Sequence, residues 1–334
     1  MPAIIDIGSA FASGFARRIL TACFGMIAIG FAGAAKAQTY GLATMAPGTL
    51  AHTSSSAIAK VLKEKAGLNV LVQPTAGESV LIPIVAKGEI DFGIAHILEV
   101  ISAVEGSGSV NKQTDLRLLG PIFPLRVAFF VRKDSDMKTA ADLKGKRVVM
   151  GFSAQRTLDT LQTAMLATVG LTPNDMKPVL VPNVIRGADD FIAGAADDFF
   201  FAFGAPKVRE TDASVGGIRA LALSDTQPAM DASRKVFPYG YMSEVKPGPV
   251  FVGVQQPMKV YTVDYMMFTN AKVKDEIVYK VLDTMAQYKA DMAAVAPNLN
   301  EFSPSDLNKK YNLPYHPGAL KYFKDKNIEA KAFQ

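Results

Sequence analysis

Short apolar stretches alternate along the chain with segments whose apolar residues recur at helical spacing. Tyr40 to Thr44 reads as a strand. Ala57, Ile58, Val61 and Leu62 share one helical face, and Gly67 ends that helix. Asn69 to Gln73 predicts a second strand, and Val80, Leu81, Ile84 and Val85 a second helix that stops at Gly88. Asp91 to Ala95 predicts a third strand. The pattern returns further on. Lys146 to Gly151, Pro178 to Val181 and Phe199 to Phe203 read as strands. Leu158 to Val169 and a segment from about Gly187 to Gly194 read as helices. Strands alternating with helices over short loops imply parallel α/β sheets.

Two runs rich in Val, Phe, Tyr and Met, Pro124 to Lys133 and Val260 to Thr269, have the composition of strands that cross between two halves. Val273 to Tyr288 predicts an amphipathic helix, and Leu307 to Tyr322 a helical or irregular tail interrupted by Pro314 and Pro317. Ile84 to Phe92 and Phe191 to Phe199 echo one another: each is a helix, a Gly, a turn with Asp, then a strand. A shared need for a Gly cap explains the echo as well as two similarly built lobes do.

The first 37 residues differ in kind. Arg17 and Arg18 precede an uncharged run from Ile19 to Ala34, and Ala35-Lys36-Ala37 supplies a small-x-small cleavage pattern. This order predicts a secretory signal cut after Ala37, and the apolar run is short for a membrane span. The expected mature chain is long enough for two domains. Cys23, the only cysteine, lies in the signal, so the mature part has neither disulfide nor thiolate chemistry. The net charge of +5 is mild, and no Lys/Arg run exceeds two residues, which argues against nucleic acid as a partner.

Several stretches carry a family likeness. Val72-Gln73-Pro74-Thr75-Ala76-Gly77-Glu78-Ser79-Val80, Gly88 to Gly93, Val131 to Ser135, Asp142 to Val148, Phe200 to Pro206 and Tyr315 to Phe323 together resemble the TAXI solute-binding proteins of TRAP (tripartite ATP-independent periplasmic) transporters. The resemblance implies a two-lobed periplasmic-binding-protein fold: two parallel-sheet α/β domains joined by two crossing strands. Residues 38–124 would form the first part of lobe I, 125–259 lobe II, and 260–334 a hinge strand and the return to lobe I. It also implies a periplasmic protein that delivers a solute to a TRAP-type permease.

In such a fold the ligand sits between the lobes, at the carboxyl ends of strands. The loops expected there supply Thr44, Pro47, Gly48, Thr49, His52 and Thr53; Thr75, Gly77, Glu78 and Ser79; His96; Phe152, Ser153, Gln155, Arg156 and Thr157; and Phe203, Gly204 and Ala205. Helix N-termini and hydroxyls in these loops suit a small carboxylate-bearing solute. Arg156 is the expected bidentate anchor, Arg126 a lesser candidate, and Phe123, Phe152 and Phe203 an expected apolar wall. The histidines lack metal-ligand spacing, so neither metal nor other cofactor is expected, and His316 reads as structural. Asp189-Asp190 and Asp197-Asp198 are neighbours in sequence, do not share a face, and read as turn and helix-end residues. No nucleophile–base motif appears, so the chain reads as a binder and not an enzyme. A periplasmic ligand-binding partner of a sensor or receptor system remains the alternative.

Overall fold

The computed structural model describes residues 38–107 and 111–333. The expected signal segment, with its cleavage after Ala37, lies outside the described residues. No helix among the described residues is long and apolar enough to cross a membrane.

Three β–α units open the fold. They are β1 (Thr39–Met45) with α1 (Leu50–Ala66), β2 (Asn69–Thr75) with α2 (Glu78–Lys87), and β3 (Phe92–His96) with α3 (Ile97–Glu105). The boundaries have local causes. Thr49 caps α1 by accepting the His52 N–H at 3.2 Å, and Gly67 ends it in the left-handed region at φ 65°. The helices lean on a buried core that includes Leu42, Ile58, Leu62, Leu81 and Ile94.

The long strand β4 (Leu116–Arg132) follows. Next come β5 (Arg147–Met150), α4 (Leu158–Ala167), β6 (Lys177–Leu180), α5 (Val184–Ile192), β7 (Phe199–Ala202) and α6 (Pro206–Val215). The series continues with β8 (Ile218–Ala220), α7 (Gln227–Val236), β9 (Tyr241–Val245) and the second long strand, β10 (Met258–Asn270). The chain closes with α8 (Asp275–Gln287), α9 (Lys289–Val295) and α10 (Pro317–Asp325).

The architecture is the expected two-lobed α/β fold, with one difference in how the sheets connect. β4 and β10 pair antiparallel along most of their length, and the sheet runs β2-β1-β3-β10-β4-β7. β1 pairs parallel with β2 and β3, but β3 meets β10, and β4 meets β7 and β8, antiparallel. The crossing strands thus fuse most of the structure into one mixed sheet, while β5 and β6 form a separate parallel pair. β4 also starts at Leu116, earlier than the sequence pattern suggested, because Gly120 and Pro121 are absorbed within the strand. The β4–β10 register shifts between Tyr265 and Met266 and again between Met267 and Phe268, leaving Ile122 and Leu119 as extra residues. These bulges bend the pair beside the site described below.

The sequence echo has a structural counterpart. Gly88 and Gly194 both turn left-handed, at φ 80° and 75°. The strands after them, β3 and β7, take equivalent places against β10 and β4.

Candidate functional site

The carboxyl ends of β1, β3 and β7 and the starts of α1, α2, α4 and α5 surround a cavity of about 50 Å3. β4 and β10 contribute Leu125, Val127 and Tyr265 to its wall. The remaining lining residues are Met45, Thr49, Leu50, Ala51, Glu78, His96, Gln155, Leu158, Val184, Phe200, Phe201 and Ala202. The surface they present is almost wholly apolar.

The polar edge of this cavity is a buried network. Tyr265 donates its hydroxyl to Glu78 Oε1 at 2.6 Å, and His96 Nε2 lies 2.8 Å from Glu78 Oε2. Ser79 donates to Glu99 Oε1 at 2.6 Å, and Thr157 donates to Glu99 Oε2. Thr157 Oγ1 also lies 3.4 Å from His96 Nε2. Glu78, His96 and Glu99 are each at most 1 % exposed, so their charges are supported by one another and by hydroxyls and not by water. Burial by itself lowers the His96 pKa, but the neighbouring carboxylates of Glu78 and Glu99 outweigh it and raise the value above the ordinary histidine level. Burial and Glu78 push the Tyr265 phenol well up, which keeps it protonated as a donor.

Glu78, His96 and Glu99 bring three ligand-type atoms within 4.8 Å of one another, so a cation is worth testing against the geometry. His96 Nδ1 accepts the Glu99 backbone N–H at 3.4 Å as the N-cap of α3. A neutral imidazole accepting at Nδ1 carries its proton on Nε2. Nε2, 2.8 Å from Glu78 Oε2, then carries the proton, and the histidine is not set up as a ligand through that atom.

The two banks of the cleft are in contact. The Arg156 backbone N–H donates to Ser79 Oγ at 2.9 Å, and the Ser79 N–H to the Ala154 carbonyl at 3.2 Å. Asn183 donates to the Ala76 carbonyl at 3.3 Å, and the Lys207 N–H to the Gly48 carbonyl at 3.1 Å. Gly77 packs so closely that a Cβ there would lie 2.1 Å from the Ala154 oxygen.

Of the residues expected from sequence, Thr49, Glu78, His96 and Gln155 line the cavity. Ser79, Gly77 and Thr157 join its banks. Thr44 is buried beside them, and its carbonyl accepts the Thr75 hydroxyl at 3.1 Å. Thr53 donates to the Thr49 carbonyl within α1, His52 is half-buried, and Pro47 is exposed. Phe123 stacks on Tyr265 at 5.0 Å behind the wall, and Phe152 packs on Phe200 at 6.4 Å. Phe203 packs against Phe130 and Phe251, next to Gly204 and the buried Ala205. Ser153 is exposed.

Arg156 is also exposed. It borders a second, outer cavity with Thr157, Ser102, Glu105 and Tyr239. Arg126 makes a bidentate pair with Glu301 at 2.6 and 2.7 Å, and His316 caps α10. Asp189 and Asp190 pair with Lys207 and Arg186, and Asp197 with Arg147. Asp198 is buried and accepts the Val149 N–H at 2.9 Å.

Sequence reading missed Tyr265 and Glu99. Tyr265 stands in an apolar strand, where an aromatic is ordinarily core. Glu99 carried a usable signal, since it is the single charge in the apolar run from Ile97 to Val104.

A family profile described as "NMT1-like family" matches residues 42–326. The chain belongs to the NMT1-like family. Solved structures share the fold of this family member at low identity. One described as a periplasmic transporter superposes with a TM-score of 0.58 at 14 % identity, covering 88 % of this chain and 94 % of its own. PhnD1 from Prochlorococcus marinus (MIT 9301), in complex with methylphosphonate, gives 0.55 at 9 % identity, with 87 % and 99 % covered. The alkanesulfonate-binding protein SsuA from Xanthomonas axonopodis pv. citri, bound to MOPS, gives 0.51 at 18 % identity, with 80 % and 81 % covered.

Proposed function

We propose that this NMT1-like protein is an extracytoplasmic solute-binding protein. It captures a small carboxylate-bearing solute between two closing lobes and delivers it to a TRAP-type permease. The lobes follow the division expected from sequence, with residues 38–124 and 260–334 on one side and 125–259 on the other. The observation that carries the reading is the cavity at which four helices begin, bounded by hydrogen bonds from bank to bank. Helix N-termini present N–H groups and partial positive charge to whatever the cavity holds.

Closure works by differential contact. The bonds from Arg156 to Ser79, Thr157 to Glu99 and Asn183 to Ala76 exist only when the banks meet. A solute touching both banks adds its own contacts to that state alone, and so shifts the population towards it. The continuous β4–β10 pair is the natural hinge, since the bulges at Ile122 and Leu119 already interrupt its register.

Native mass spectrometry of the gently purified protein would identify a retained solute. Reconstitution with a permease then tests delivery. Uptake driven by an ion gradient without ATP supports the TRAP-type assignment. Uptake that needs ATP hydrolysis keeps solute binding and discards TRAP. A protein that retains and stimulates nothing discards both.

A further inference from the structure

The cavity's own chemistry narrows the solute. We infer that the site selects a short-chain, otherwise apolar monocarboxylate. It discriminates against amino acids and dicarboxylates. The inference rests on the carboxylate reading above and goes beyond it by naming the class.

Three observations support it. The first is size. A water needs about 10–15 Å3 of such space, so about 50 Å3 holds only about three to five non-hydrogen atoms in the closed form. The second is the absence of any vacant charge. Neither Lys nor Arg lines the cavity, so a second carboxylate would find no cation there. Glu78, the one lining acid, already accepts from Tyr265 at 2.6 Å and from the His96 N–H at 3.3 Å, with His96 Nε2 beside its other oxygen. Glu78 Oε2 accepts no hydrogen bond, but it is buried away from the cavity's open space and lies 2.8 Å from His96 Nε2, so an ammonium group reaching it would have to displace that imidazole.

The third is the single place where donors are available. Gln155 is 2 % exposed, and its carboxamide oxygen is fixed by the Val184 N–H at 2.9 Å, so the amide nitrogen must face the other way. That nitrogen meets only the Met45 thioether, at 3.7 Å. Among the described residues, no hydrogen bond engages the N–H groups of Leu50 and Ala51, which open α1 at the same wall. These donors accommodate one carboxylate, and Phe200, Phe201 and Val127 leave only apolar surface for the rest.

Isothermal titration of the purified protein, unfolded and refolded to strip any retained solute, uses propionate, alanine, malonate, propionamide and hexanoate as probes. Propionate and alanine differ by the amine, propionate and malonate by the second carboxylate. The expected result is propionate binding at least tenfold tighter than alanine or malonate, with hexanoate weaker than propionate. Gln155→Glu keeps the acceptor for Val184 and replaces the donor by a negative charge, so it should abolish propionate binding; the buried carboxylate should also lower the melting temperature, and a retained cooperative unfolding transition shows that the loss of binding is not a loss of fold. Tighter binding of alanine, malonate or hexanoate overturns the short apolar class and leaves the carboxylate reading standing. Propionamide binding as well as propionate overturns the carboxylate reading itself. Binding of none of the acids overturns both.

Discussion

Ser79 joins the two banks of the cleft by itself: its hydroxyl accepts the Arg156 backbone N–H at 2.9 Å and donates to Glu99 Oε1 at 2.6 Å. Glu99 receives its second donor, Thr157, from the same opposing loop. A buried carboxylate is thus completed only when the cleft is shut. Thr157→Val should leave Glu99 short of a donor at a cost of about 1–3 kcal/mol. Calorimetry should show solute affinity falling by roughly 5- to 100-fold, and small-angle scattering a more extended particle.

Gly77 offers a purely steric test. Its backbone is extended at φ 173°, which any residue can adopt, but an added Cβ would lie 2.1 Å from the Ala154 carbonyl. Gly77→Ala should therefore fold normally and close badly. An overpacking cost of about 1–3 kcal/mol falls on the closed state alone. Unchanged thermal stability without solute, with affinity reduced roughly 5- to 100-fold, is the expected pair of results. A normal affinity would mean that the banks do not approach this closely in the bound form.

Asp198 gives the protein a pH-dependent stability. Burial pushes its carboxyl up to about 8, against the opposing bond from the Val149 N–H. The folded state therefore holds a proton that the unfolded chain releases near pH 4. Stability from this group is present below that point and is lost as pH rises towards about 8, by on the order of a few kcal/mol. Asp198→Asn should flatten urea-unfolding stability over this range and make the protein more stable than wild type at pH 8.

The three histidines should titrate apart. Burial lowers His52 and outweighs Asp275 in lowering His316, whereas Glu78 and Glu99 raise His96 in spite of its burial. Carbon-detected NMR should find one imidazole above the ordinary value and two below it. The high one should disappear in His96→Gln. Stability contributed by the His96 charge is complete below the ordinary histidine value and is lost as pH rises through the raised one.

The alternation of strands and helices was legible because each half-buried element repeats its period several times before a Gly or Pro stops it. Loop residues were legible as a set, since a parallel α/β fold sends strand ends to one crevice. Their individual aim was not. Gln155 and Arg156 are adjacent, yet the turn after β5 points the first into the cavity and leaves the second exposed beside the outer one. Only the fixed position of Gln155 against Val184 decides that, and Val184 is a distant residue in sequence. Leu125, Val127 and Tyr265 were hidden for a different reason. Along a crossing strand, a wall residue and a core residue have the same composition.

The placement of β10 between β3 and β4 has a consequence for how the molecule is born. His96 at the end of β3 pairs with Tyr265, so the first sheet has a gap in its middle until the last quarter of the polypeptide has been made. Its early units can form helices and a parallel strand trio, but the edge of β3 stays open and the loop to be closed is very long. An emerging chain therefore has little to lock it prematurely. This late-arriving central strand acts as a timing device: the native sheet closes only once nearly the whole polypeptide is available.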